Sequence, residues 1–153
     1  MASARGRTYR YPANAIRVCV DECRDSDVQG RIYSKFLTEP LLFRNCGEML
    51  LKTDYMFDQK GFPQTYQKRR YFRDRKEKID CAPPDEMVED ERILEQSGNY
   101  STFDVIVQSR KKSSWQGVLK TQDGTPMTEF RSEMELINWI WCQVLDEGVI
   151  NTN

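Results

Sequence analysis

The densest chemistry in this chain is electrostatic. Between Lys68 and Lys78 stand Lys68, Arg69, Arg70, Arg73, Arg75, Lys76 and Lys78 against Asp74 and Glu77, a net charge of +5. Tyr66, Tyr71 and Phe72 are interleaved with them. Bases neutralise phosphates and aromatic faces stack on nucleobases, so this run is a candidate nucleic-acid contact. The same spacing also suits an amphipathic strand, with Tyr71 turned inward and the arginines in water. An acidic run follows, with Asp85, Glu86, Glu89, Asp90, Glu91 and Glu95 against Arg92, net −5. It can mask the basic run or simply neutralise it. It can form a short helix ended near Gly98, or stay without structure.

Other chemistries are poorly supplied. The 153 residues contain no histidine, which removes the usual Ser-His-Asp and Cys-His nucleophile systems and the commonest metal ligand. The five cysteines, Cys19, Cys23, Cys46, Cys81 and Cys142, are odd in number and irregular in spacing. They read as reduced, mostly buried thiols rather than a disulfide framework or metal set. There is no GxGxxG, no GxxxxGK[ST] and no HExxH. The expectation is a protein that is not an enzyme and takes no cofactor and no metal.

Net charge is −1 but unevenly divided. Residues 1–78 hold 17 bases against 10 acids, net +7, and residues 79–153 hold 6 against 14, net −8. Such asymmetry points to an anionic partner for the basic half, or to halves that neutralise each other in the fold. No apolar run approaches the roughly 18 residues of a membrane helix. The basic start "MASARGRTYRYP" has no apolar stretch of the secretory kind after it. These features predict a cytoplasmic protein with no membrane partner.

The elements that must position these groups are written twice. Ile16–Asp58 laid over Phe103–Leu145, a shift of 87, gives nine identities in 43 ungapped positions. Val18 meets Val105, Val20 meets Val107, Ser26 meets Ser113, Gln29 meets Gln116 and Gly30 meets Gly117. Thr38 meets Thr125, Phe43 meets Phe130, Arg44 meets Arg131 and Glu48 meets Glu135. Such self-similarity is the mark of a duplicated supersecondary unit.

Each unit reads as strand, strand, strand, helix. Alternation places Ile16, Val18, Val20 and Phe103, Val105, Val107 inward on a first strand. Val28, Gly30, Ile32 and Trp115, Gly117, Leu119 follow inward on a second. An inward strand glycine predicts a bulky element close above it, and a crossing helix would fit. Asp123-Gly124 marks a tight hairpin turn. A short third strand ends at Phe43 and at Phe130. Asn45 and Ser132 are helix N-caps, and Ser132 with Glu135 forms a capping box. The expected inward stripes are Met49, Leu50, Thr53, Phe57 in the first helix and Met134, Ile137, Ile140 or Trp141, Val144 in the second. The helices should stop near Lys60-Gly61 and at Gly148.

The predicted fold is therefore α+β: two duplicated βββα units packed as one pseudo-two-fold domain. Its segments are a basic arm (1–14), the first unit (15–60), a charged insert (61–101), the second unit (102–148) and a tail (149–153). Arg17, Arg31, Tyr33 and Lys35 alternate outward on the first unit and join the candidate contacts. Arg44 and Arg131 either bridge to Glu48 and Glu135, four residues on, or bind something.

The pattern "FDVIVQSRKKSSWQGVLK" followed by Phe-Arg-Ser-x-x-Glu-Leu-Ile resembles a group of small uncharacterised proteins of clostridia-type bacteria. They share a Ser-Trp-Gln-Gly strand and a Phe-x-Ser-x-x-Glu-Leu helix start. The resemblance covers both units, not the insert, and implies no activity. Each unit's order is also similar to integrase arm-type DNA-binding domains, which lay a three-stranded sheet in a major groove. That likeness implies DNA contact through the sheet face. Gln116, Val118 and Lys120 make the second unit's outward face less basic than such domains, so the first unit fits better. Two expectations result. One is a non-catalytic protein-interaction module, an adaptor or an inhibitor of a larger nucleic-acid-handling machine. The other is a direct nucleic-acid-binding module using the first unit's sheet face and the basic insert.

Overall fold

In a computed structural model the described residues are 10–24, 27–61, 87–110 and 114–145, without the side chains of residues 143 and 145. The strands are β1 (Ala15–Arg24), β2 (Asp27–Tyr33), β3 (Leu41–Phe43), β4 (Ser101–Ser109), β5 (Gln116–Thr121) and β6 (Pro126–Phe130). The helices are α1 (Cys46–Lys60), α2 (Asp90–Leu94) and α3 (Glu133–Ile140), with α3 running into a π-helical turn at Trp141–Leu145. The strands form one antiparallel sheet in the order β3-β2-β1-β4-β5-β6. The class is α+β.

The expected alternation is present. Ile16, Val18, Val20, Val28, Ile32, Val105, Val107, Trp115 and Leu119 are buried with Met49, Met56, Phe57, Leu136 and Ile140 in one core between sheet and helices. β1 and β4 are the middle strands and are buried on both faces. The second face carries Tyr11, Ala15, Ile93 and Ile106 as a smaller cluster, with α2 supplying Ile93.

Local chemistry fixes the helix ends. Asn45 Oδ1 accepts the Glu48 N–H at 2.7 Å, and Ser132 Oγ accepts the Glu135 N–H at 3.2 Å. Glu48 and Glu135 reach back to the Arg44 and Arg131 N–H groups at 2.8 and 2.9 Å. Each start is thus capped from both sides. α1 ends at Gly61, whose φ of 67° is the left-handed conformation glycine tolerates best. The Asp123-Gly124 turn closes the β5–β6 hairpin, with Gly124 at φ 91° and Thr121 N–H bonded to Thr125 O. Gly148 lies outside the described residues.

Two expectations change. The close neighbours of the two inward glycines belong to adjoining strands and not to a crossing helix. A Cβ on Gly30 would stand 1.9 Å from Cys19 O, and one on Gly117 would stand 1.9 Å from Ile106 O. The register of β1 slips between Val20 and Glu22, and that of β4 between Val107 and Ser109. These bulges bring neighbouring backbone under each glycine. At Gly117 the opposing Phe130 ring also closes in, its Cζ 2.9 Å from the Cβ position. Gly117→Val is therefore expected to cost near the top of the roughly 1–3 kcal/mol range for overpacking. Urea unfolding measures it, and a midpoint within error of wild type would show the contact yields.

The second change concerns α3. Its sheet-facing stripe is Leu136, Ile140 and Val144, all buried, while Met134 is 64% and Trp141 38% exposed. Ile137 is partly buried. Apolar side chains surround this helix, so periodicity alone does not choose the inward face.

Candidate binding surface

The first unit's outward sheet face, expected with the basic insert to contact nucleic acid, is occupied by the chain itself. Arg17 points to the outward side of β1, yet it is fully buried. Its Nε and Nη2 donate to Asp104 Oδ1 and Oδ2 at 3.0 and 2.9 Å, a bidentate fork. Nη1 donates to Leu94 O at 2.9 Å and Nη2 to Gln122 O at 2.8 Å. Tyr11 OH donates to Asp104 Oδ1 at 2.9 Å, and the Arg17 guanidinium lies 5.8 Å from the Tyr11 ring centre. Burial pushes the Asp104 carboxyl above its ordinary range, against the pull of the Arg17 fork. Arg17 is a structural cation with no surface for a partner.

Arg31, Tyr33 and Lys35 are also engaged. Arg31 forks onto Asp21 at 2.9 and 3.1 Å and donates to Tyr33 OH and Ser97 O, each at 2.8 Å. The Arg31 hydrogen bonds hold the Asp21 carboxyl below its ordinary range. Lys35 pairs with Asp90, which also accepts the Tyr11 N–H. The segment Val88–Gly98 thus straps the sheet's second face. Ile93 anchors it, Asp90 takes Lys35, and its carbonyls take Arg17 and Arg31. Gly98 is pressed against β1, where a Cβ would meet Val20 O at 2.4 Å. Among the described residues, the strap that holds Asp90 covers bases of the first unit; the basic run that the acidic one was expected to mask lies outside them. A cleft of about 30 Å³ between Tyr33–Pro40 and Val88–Gln96 has room for about two waters.

Arg44 pairs with Glu48 at 2.8 Å, one of the two alternatives its spacing allowed. Its side chain is 82% exposed, and such surface pairs contribute little to stability. Arg131 is exposed, and its backbone N–H rather than its guanidinium meets Glu135. The basic-run candidates Arg69, Arg70, Arg73, Arg75, Tyr66, Tyr71 and Phe72 lie outside the described residues, as do Asp85 and Glu86. Among the described cysteines, burial pushes the Cys19 thiol up to about 11 and Cys46 up to about 12. Such thiols are poor nucleophiles at neutral pH.

Sequence reasoning missed a second buried charge cluster. Arg110 Nη1 donates to Asp54 Oδ1 at 3.1 Å and to Asp58 Oδ1 at 2.7 Å. Its guanidinium lies 5.6 Å from the Phe57 ring centre. Trp115 Nε1 donates to the same Asp54 oxygen at 2.9 Å, and its backbone N–H donates to Glu133 Oε1 at 3.2 Å. The C-terminal half of α1 is thereby tied to β4, to the start of β5 and to the first turn of α3.

The helix layer exposes large apolar side chains among polar ones such as Gln59 and Asn138. Leu51 on α1 is 64% exposed, and Met134 and Trp141 sit seven residues apart on one side of α3. Glu133 and Glu135 flank Met134, and α3 has no base in its last turn. No family model, curated protein or solved structure matches the chain.

Proposed function

We propose that this chain is a non-catalytic protein-interaction module, acting as an adaptor or inhibitor on a larger nucleic-acid-handling machine in the cytoplasm. The observation that carries the reading is the outward apolar face of α3, Met134 and Trp141, bordered by Glu133 and Glu135. An isolated exposed apolar residue is ordinary, but a Met and a Trp on one side of one helix make a contact stripe. Among the described residues, the opposite side of the molecule supports the reading. The bases of the first unit's sheet face are spent on Asp104, Asp21, Asp90 and backbone carbonyls.

We also read the body as two duplicated βββα units related by a pseudo-two-fold axis. Strand order and capping recur in step with the sequence shift of 87. The antiparallel β1–β4 register sets Arg17 opposite Asp104, its own counterpart at that shift. The adjoining pairs, Ile16 with Val105 and Val18 with Phe103, then exchange under the same relation.

The test is Met134→Glu, at a side chain 64% exposed, so the melt should stay within about 1 °C of wild type because surface changes cost little. Affinity-tagged chain recovered from the native cell should lose its protein partner at least tenfold. In parallel, mixed DNA and RNA are titrated across a salt series. Affinity that falls steeply with salt and is removed by Arg69→Glu with Arg70→Glu would replace this reading with direct nucleic-acid binding. A partner retained by Met134→Glu would overturn the α3 face.

A further inference from the structure

We infer that the β1–β4 seam is a protein–protein interface carried within one chain, and that Arg17 and Asp104 restrict it to unlike units. This rests on the two-unit reading above. The fitting partner is a βββα unit with the opposite charge at the axial position, supplied by the same chain or by a second copy.

The argument starts from the register. β1 and β4 pair over Ala15–Val20 and Ser101–Ile106, with Arg17 opposite Asp104. If the units are alike, this pair alone lies on the axis, because each residue faces its own equivalent. Two identical units meeting here would place Arg against Arg or Asp against Asp. Both side chains are 0% exposed, so neither like pair would have water to screen it. Off the axis the pairs are tolerant: Ala15 faces Ile106 and Cys19 faces Thr102, small against larger in both directions. Selectivity is thus concentrated in one contact, and it works by penalising the wrong pairing as well as rewarding the right one. The strap and the β5–β6 turn reinforce it, since Leu94 O and Gln122 O need a donor at position 17.

The experiment uses full-length chains. Arg17→Asp and Asp104→Arg are refolded separately, as an equimolar mixture, and combined in one chain. Each single substitution should lower the folded-to-unfolded ratio at least about a hundredfold, or prevent folding, because it leaves a like-charge buried pair. The doubly reversed chain should recover at least tenfold of that ratio. The mixture should give a 1:1 heterodimer by native mass spectrometry with one cooperative melt. In it, one seam is the natural Arg17–Asp104 pair and the other is its reversal. If the doubly reversed chain is no better than the worse single, charge matching is not what the seam requires and the inference falls. If that chain recovers but the mixture remains monomeric, the lock stands while the units are not exchangeable, which overturns the two-unit reading of the seam.

Discussion

Trp115→Ala is expected to cost about 3–5 kcal/mol, the range for truncating a buried aromatic ring. Trp115 is 1% exposed and heads the fully buried side chains by volume. It precedes β5 and packs its ring against the C-terminal half of α1. Its ring meets Phe57 edge-on, with centroids 6.2 Å apart and planes at 62°. Its indole N–H bonds Asp54, and its main-chain N–H bonds Glu133. Alanine keeps the Glu133 contact and removes the rest. The cavity would then open beside a carboxylate that has lost one of its donors. Trp115→Phe separates the two effects, because it keeps most of the apolar volume and loses the N–H. It should cost about 1.5–3 kcal/mol, the value of a hydrogen bond to a charged group. For a chain of this length the alanine change amounts to a fall of roughly 6–20 °C in Tm. Urea unfolding of both variants measures the pair. An alanine loss below about 2 kcal/mol with unchanged slope would mean the helices close over the gap.

The fold class and most of the core were legible because they rest on local patterns. Alternation gave the inward residues of β1, β2, β4 and β5, and cap residues gave the starts of α1 and α3. The stripe on α3 was misread from the helix alone, since "INWIW" offers an apolar residue in nearly every direction. The repeat register held the answer. Met49, Thr53 and Phe57 shifted by 87 are Leu136, Ile140 and Val144, the residues that are buried. Arg17 shows a different limit. Alternation correctly turned it away from the helices, but a strand pattern says only which side a residue faces. It does not say that Val88–Gly98 returns to cover that side. Arg110 had no signal at all, because Asp54 and Asp58 lie more than fifty residues away and no spacing rule links them. The outward stripe on α3 was visible as residues, Met134 and Trp141, and became a candidate surface only when the sheet proved to take the opposite face.

Arg17→Met is the substitution with the clearest thermodynamic signature, an expected loss of about 3–5 kcal/mol from breaking a buried ion pair on one side. Methionine fills much of the arginine stem but leaves Asp104 with Tyr11 OH as its remaining donor of those described here. A carboxylate with 0% side-chain exposure then has its full desolvation cost and little return. Asp104→Leu should cost a similar amount from the other side, stranding a guanidinium whose acceptors are backbone carbonyls. The doubly substituted chain, Arg17→Met with Asp104→Leu, should be more stable than either single variant. No buried charge is left at the seam, and what it loses is the hydrogen bonding of Tyr11 OH and of the Leu94 and Gln122 carbonyls. Those two carbonyls are only partly buried in their contacts with Arg17, so water can replace the missing donor. A double-mutant cycle by urea unfolding should therefore give a coupling of at least about 2 kcal/mol. Additive losses would mean that Arg17 and Asp104 stabilise the sheet independently, through their separate contacts with Leu94, Gln122 and Tyr11.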